Sequence, residues 1–142
     1  MIKGKVAMVT GAGGGVGKAI SKRLISEGCR VALLGRDRGR LQKAAAEIGD
    51  KKNTVAIATD ITKEAEVLSA VDQTIKSFDW VDILVNNAGT INDPRPFHET
   101  TEEQWDNLIE TNLAGTLRMT KAVIPVMMRN GGGSIVNISS VL

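Results

Sequence analysis

Two hydrophobic rhythms alternate along this chain. Short apolar runs (Val6-Ala7-Met8-Val9, Val31-Ala32-Leu33-Leu34, Val55-Ala56-Ile57-Ala58, Val81-Asp82-Ile83-Leu84-Val85, Ile135-Val136-Asn137-Ile138) are separated by longer stretches whose apolar positions recur every three or four residues. The first rhythm suits strands buried on both faces and the second suits amphipathic helices. The pattern predicts strands near 5–10, 30–34, 54–58, 82–86 and 134–138, and helices near 15–27, 38–48, 64–78 and 101–129. Strand and helix alternate throughout, which argues for one α/β domain over 1–142, a parallel sheet with helices on both faces. A Rossmann-type doubly wound sheet, cut to about five strands and four helices, is the expected architecture. A flavodoxin-like strand order is the alternative.

Between these elements the breaks are polar or rich in glycine and proline. Asp50-Lys51-Lys52-Asn53 is a polar turn, the paired prolines of Asn92-Asp93-Pro94-Arg95-Pro96 exclude helix and central strand, and Gly131-Gly132-Gly133 ends the last helix. That long helix is expected to turn Trp105, Leu108, Ile109, Leu113, Thr116, Met119, Thr120 and Val123 inward on one stripe, with Asn112 lying on it. An amide on such a stripe costs free energy unless it is paired.

The first strand runs into Thr10-Gly11-Ala12-Gly13-Gly14-Gly15-Val16-Gly17. Gly11 permits a sharp turn, and Val16, Ala19, Ile20, Leu24 and Ile25 then recur at helical spacing. Bare backbone N–H groups at a helix start, with its partial positive charge, suit a pyrophosphate. The spacing is not G-x-G-x-x-G, because Val16 stands where the third glycine belongs; it is T-G-x-x-x-G-x-G, carried by Gly11, Gly15 and Gly17.

Composition narrows the classes further. A net charge of +2 with both signs interspersed implies no nucleic-acid partner. The sole cysteine, Cys29, reads as a packed thiol, and the sole histidine, His98, lacks companions at ligand spacing, so no metal site is expected. There is no signal-peptide pattern and no apolar run of membrane-spanning length, so a cytoplasmic location and no membrane partner are expected.

A second motif follows the fourth strand: Asn86-Asn87-Ala88-Gly89. The two motifs in this order resemble the short-chain dehydrogenase/reductase family. The resemblance covers the whole chain and matches the N-terminal part of such enzymes, so the domain is expected to be incomplete at its C-terminus. It implies a nicotinamide cofactor held by Thr10, Gly11, Gly15, Val16 and Gly17, with Asn87, Ala88 and Gly89 passing close to it. Asp60 and Ile61 match the residues that meet the adenine amino group and ring. At the end of the second strand an acidic residue reads the ribose of NAD, and a nearby arginine accommodates the 2′-phosphate of NADP. Here Gly35 stands at the acidic position and Arg36 follows, so NADP(H) is preferred, with NAD(H) as the alternative. Asp37 reads as a cap of the next helix.

For the chemistry, the resemblance assigns Ser140 a hydrogen bond to the substrate oxygen and Asn112 a water in the proton relay. It implies hydride exchange with a small carbonyl or alcohol substrate, 3-oxoacyl-carrier-protein reductases being one common member type, and a homo-oligomer in the full-length form. The proton donor of the family is a tyrosine, followed one helical turn later by a lysine. This sequence contains no tyrosine, and it stops at Leu142 before the expected pair. The 142-residue chain alone is therefore expected to lack carbonyl-reductase turnover and to leave its last strand as an open edge prone to self-association. A nucleotide-binding module without catalysis, or a half-enzyme completed by a partner chain, are the competing readings.

Overall fold

The computed structural model describes residues 2–140. A five-stranded, fully parallel sheet forms its centre: β1 (Val6–Thr10), β2 (Arg30–Gly35), β3 (Thr54–Ala58), β4 (Ile83–Asn86) and β5 (Ser134–Asn137). Their spatial order is β3-β2-β1-β4-β5. The chain thus winds outward from β1 to β3, returns, and continues from β4 on the other side. This is the Rossmann order; the flavodoxin-like order would place β3 beside β1.

Alternation along the strands sorts the core into two layers. Ala7, Val9, Val31 and Leu33 point to α1 (Gly15–Ser26) and α2 (Arg38–Ile48), where they meet Leu41 and Ala44. Met8, Ala32, Leu34 and Leu84 point to the other face, where α3 (Glu64–Phe78) brings Val67 and Val71 and α5 (Thr116–Arg129) brings Met119 and Val123. At the N-terminal ends of the strands the buried Asp82 carboxylate ties this together. It accepts from the Val6 N–H, Lys5 Nζ and Trp80 Nε1, each at 2.8 Å. Desolvation alone would raise the Asp82 pKa; these three donors outweigh it and hold the carboxyl below its ordinary value.

The predicted helix over 101–129 is not one regular helix. A capping box between Thr101 and Gln104 starts α4 (Glu102–Leu108), a wider π-helical segment runs from Ile109 to Gly115, and α5 continues from Thr116. The wide turn shifts the helical phase. The residues that face the core are therefore Thr111, Gly115, Met119 and Val123, four apart. Of the expected stripe, Met119 and Val123 are buried, but Ile109 and Leu113 are more than half exposed, Trp105 is exposed, and Asn112 is exposed beside the stripe rather than on it.

Candidate active site

The C-terminal ends of β1, β2 and β4 open onto a cleft of about 610 Å³. Its floor is built by Thr10. That hydroxyl accepts the N–H groups of Asn87 and Ala88, both at 2.9 Å, and donates to the Val85 carbonyl at 3.4 Å, using its full capacity. The Asn87 amide nitrogen in turn donates to the carbonyls of Thr10 (3.0 Å) and Gly11 (3.4 Å). The two motifs that stand 77 residues apart in sequence are thus stitched into one surface.

Two glycines make that contact possible. Gly11 sits at φ 66°, and a Cβ there would lie 2.9 Å from Asn87 Nδ2 and 3.0 Å from the Ala88 Cα. A Cβ on Gly17 would collide with the Gly11 carbonyl oxygen and lie 2.6 Å from Asn87 Nδ2. Gly17 is therefore a packing residue behind the turn, and Val16, at 60% exposure, does not line the cleft. The lining comes instead from Gly11, Gly13, Gly14 and Gly15, whose backbone is bare. No side chain caps the start of α1, and its first turn carries no acidic residue. Uncapped N–H groups, a helix start and open space above Gly14 and Gly15 fit a dinucleotide pyrophosphate.

The other wall carries Gly35, Arg36, Asp60, Ile61, Ala88 and Gly89. Asp37 caps α2 by accepting the Arg40 N–H at 2.9 Å. Asp60 accepts the N–H and hydroxyl of Thr62 at 3.0 and 2.8 Å. Partial burial would raise the Asp60 pKa, but these bonds and the positive charge of Arg36 and Lys63 hold it below its ordinary value. Ile61 is buried and packs on Gly115, where a Cβ would lie 2.7 Å from its side chain.

Asn112 and Ser140 do not line this cleft. Asn112 stands behind Gly89: its Oδ1 accepts the Thr90 N–H at 2.8 Å and its Nδ2 donates to the Thr90 carbonyl at 2.9 Å. Both halves of the amide are engaged, so it pins the loop that leaves β4. Its backbone carbonyl, inside the π segment, accepts Thr116 Oγ1 at 2.9 Å. Ser140 is exposed, three residues beyond the end of β5.

Sequence reasoning missed Lys18, Arg40, Lys43 and Thr111, all of which line the cleft. Thr111 was hidden by the phase shift of the π segment. The one signal for close approach there was Gly115 inside a helical pattern. Arg40 and Lys43 lie on the α2 face toward the glycine turn, next to the buried Leu41 and Ala44. Among the described residues, no group of three His, Cys, Asp or Glu side chains is placed to hold a metal ion, and no helix is long and apolar enough to cross a membrane.

A glycine turn, a second turn locked onto it and an open cleft above a parallel sheet define a doubly wound α/β fold of the dinucleotide-binding type. The chain belongs to the short chain dehydrogenase family, whose profile it matches over residues 5–142. An uncharacterized oxidoreductase of Staphylococcus saprophyticus is 39% identical over 142 residues, covering 99% of this chain and 60% of that protein. One from Staphylococcus aureus strain MRSA252 is 36% identical over 137 residues, covering 96% of this chain and 58% of that protein. Among solved structures, a 3-ketoacyl-(acyl-carrier-protein) reductase from Brucella melitensis complexed with NADH superposes with a TM-score of 0.94 at 38% identity, over 99% of this chain and 59% of its own. An NAD+-bound xylitol dehydrogenase does so with a TM-score of 0.94 at 35% identity, over 98% of this chain and 54% of its own. The chain thus spans about 60% of the length of the curated relatives it matches.

Proposed function

We propose that these residues form the cofactor-binding part of an NADP(H)-dependent reductase of small carbonyl compounds, acting also on the corresponding secondary alcohols. The observation that carries the cofactor reading is the wall at the end of β2. Gly35 offers no carboxylate to a ribose, Asp37 is committed to capping α2, and Arg36 lines the cleft. A second reading, NAD(H), is favoured by the two solved neighbours, which hold NADH and NAD+.

When bound, the nicotinamide supplies or accepts the hydride. The glycine turn, with Thr10, Gly11 and Gly15, seats the pyrophosphate on backbone N–H groups, and Gly17 and Val16 shape the turn from behind and outside. Asp60 and Ile61 border the adenine, and Asn87, Ala88 and Gly89 form the floor. Ser140 donates to the substrate oxygen as negative charge gathers on it. Asn112 holds the relay water in this reading, its Oδ1 and Nδ2 each keeping one further hydrogen-bonding position beyond the bond to Thr90. A polypeptide of these 142 residues holds no tyrosine to deliver the proton and is expected to bind cofactor without turning over carbonyl substrate. The 3-oxoacyl-carrier-protein reductases are the first substrate class to test, by likeness to the Brucella enzyme. The exposed Ile109, Leu113 and Leu117 on one side of the long helix suit a homo-oligomer contact, and the cytoplasm suits a pyridine-nucleotide enzyme.

Fluorescence titration of the purified chain with NADPH and NADH tests the cofactor reading. NADPH should bind more tightly, and Arg36→Asp should reverse the order. A preference for NADPH that survives Arg36→Asp would sink the assignment.

A further inference from the structure

Arg36 does not stand alone at the cleft wall. Arg40, in the first turn of α2, also lines the cleft. Its stem packs on the glycine turn itself: a Cβ on Gly13 would lie 3.1 Å from the Arg40 Cβ. The start of α2 is thereby fastened against the loop that seats the pyrophosphate, and a side chain at residue 13 would push it away.

The charge arrangement there is unfavourable in the chain by itself. The first turn of α2 carries Arg38 and Arg40 and no acidic residue, although a helix start disfavours cations. Neither Arg36 nor Arg40 makes a salt bridge among the described residues. The nearby carboxylates are engaged elsewhere: Asp37 with the Arg40 N–H, Asp60 with Thr62. Asp60 also shares the field of Arg36, which leaves Arg40 as the guanidinium with less to offset it. Uncompensated cations converging on one cleft are what a dianion would relieve, and two planar forks hold a phosphate better than one.

We propose that Arg40 is a second specificity-determining residue, which together with Arg36 grips the 2′-phosphate of NADP(H) between the end of β2 and the glycine turn. The proposal rests on the NADP(H) reading above. It adds that Gly13 is glycine to let Arg40 approach, and that cofactor choice is shared between a loop arginine and a helix arginine.

The test is direct binding, read by NADPH and NADH fluorescence titration of the full chain and its Arg36→Ala, Arg40→Ala and Arg38→Ala variants, each checked for an unchanged melt. Arg38 shares the first turn of α2 but does not line the cleft, so it controls for charge alone. Arg40→Ala should weaken NADPH about tenfold and change NADH by less than about twofold, with Arg38→Ala near wild type for both. If Arg40→Ala melts early, Arg40→Gln, which keeps the stem on Gly13, replaces it. Three results overturn the proposal: NADPH affinity untouched by the Arg40 variant, equal losses for NADPH and NADH, or an Arg38 variant that loses as much. Wild-type protein that prefers NADH or binds neither removes the NADP(H) reading and the clamp together. A wild-type preference for NADPH reversed by Arg36→Asp but indifferent to Arg40 removes the clamp alone.

Discussion

β1 and β5 read alike in sequence, short and apolar with β-branched residues, yet they have opposite surroundings. All five residues of β1 are buried, with strands on both sides and helices on both faces. β5 is an outer strand: only Ile135 is partly buried, packed toward α3 and α5, while Val136 and Ile138 stay 46% and 43% exposed. Beside them Ile20, Leu24, Ile83 and Val85 line an apolar groove of about 840 Å³ on the α1 side. Burial is set by position in the strand order, not by the residues of the strand. The β1 half carries the floor of the cleft, closely fitted around Gly11, Gly17 and Asn87; the β5 half is apolar but loosely enclosed.

The largest effect should come from breaking the closely fitted half. Gly17→Val forces a side chain into the Gly11 carbonyl and the Asn87 amide, neither of which can retreat without opening the floor. We expect a loss of about 3 kcal/mol in urea unfolding together with loss of NADPH binding. Unchanged binding would mean the turn is far more pliant than its contacts indicate.

Asp82 lies where the halves meet, bonded to β1 and, through its backbone carbonyl, to Ser134 of β5 at 2.8 Å. Asp82→Asn should cost about 2 kcal/mol, because a neutral amide replaces a charged acceptor of three hydrogen bonds. The effect carries a pH signature. The folded pKa is below the ordinary 3.8, so the stabilisation is fully present above that pH and drains as pH falls through the lower folded value. The stability gap between wild type and Asp82→Asn should be flat from neutrality down to that region and shrink below it; a gap that grew with acid would reverse the sign of the argument.

The smallest thermodynamic effect belongs to the open half. Val136→Lys combined with Ile138→Lys should shift unfolding by about 1 kcal/mol, less than either change above, since both side chains are only about half buried against an open groove. The same pair should reduce self-association on size-exclusion chromatography, because charged side chains blunt an exposed strand edge. A loss comparable to that of Gly17→Val would show that the groove is enclosed in solution.

Much of this was legible along the chain. Strand positions follow from runs too short for helices, and the glycine turn and Asn87-Ala88-Gly89 are segments that the fold brings together along one cleft. Position 112 was not legible. A helical wheel assumes one phase from 101 to 129, and the π segment from Ile109 to Gly115 breaks it, moving Thr111 and Gly115 inward and Asn112 out to Thr90. Arg40 escaped notice for a different reason: its place in the cleft depends on how closely α2 approaches Gly13, a distance that no periodicity encodes.

The Thr10 hydroxyl has one more consequence. Because it holds the Asn87 and Ala88 N–H groups, the floor of the cleft is tied together by the chain's own hydrogen bonds. The conformational entropy of assembling it is lost during folding, not on association, so the bound state is preorganised. Linkage then works in both directions: whatever settles on this floor also raises the melting temperature of the sheet beneath it.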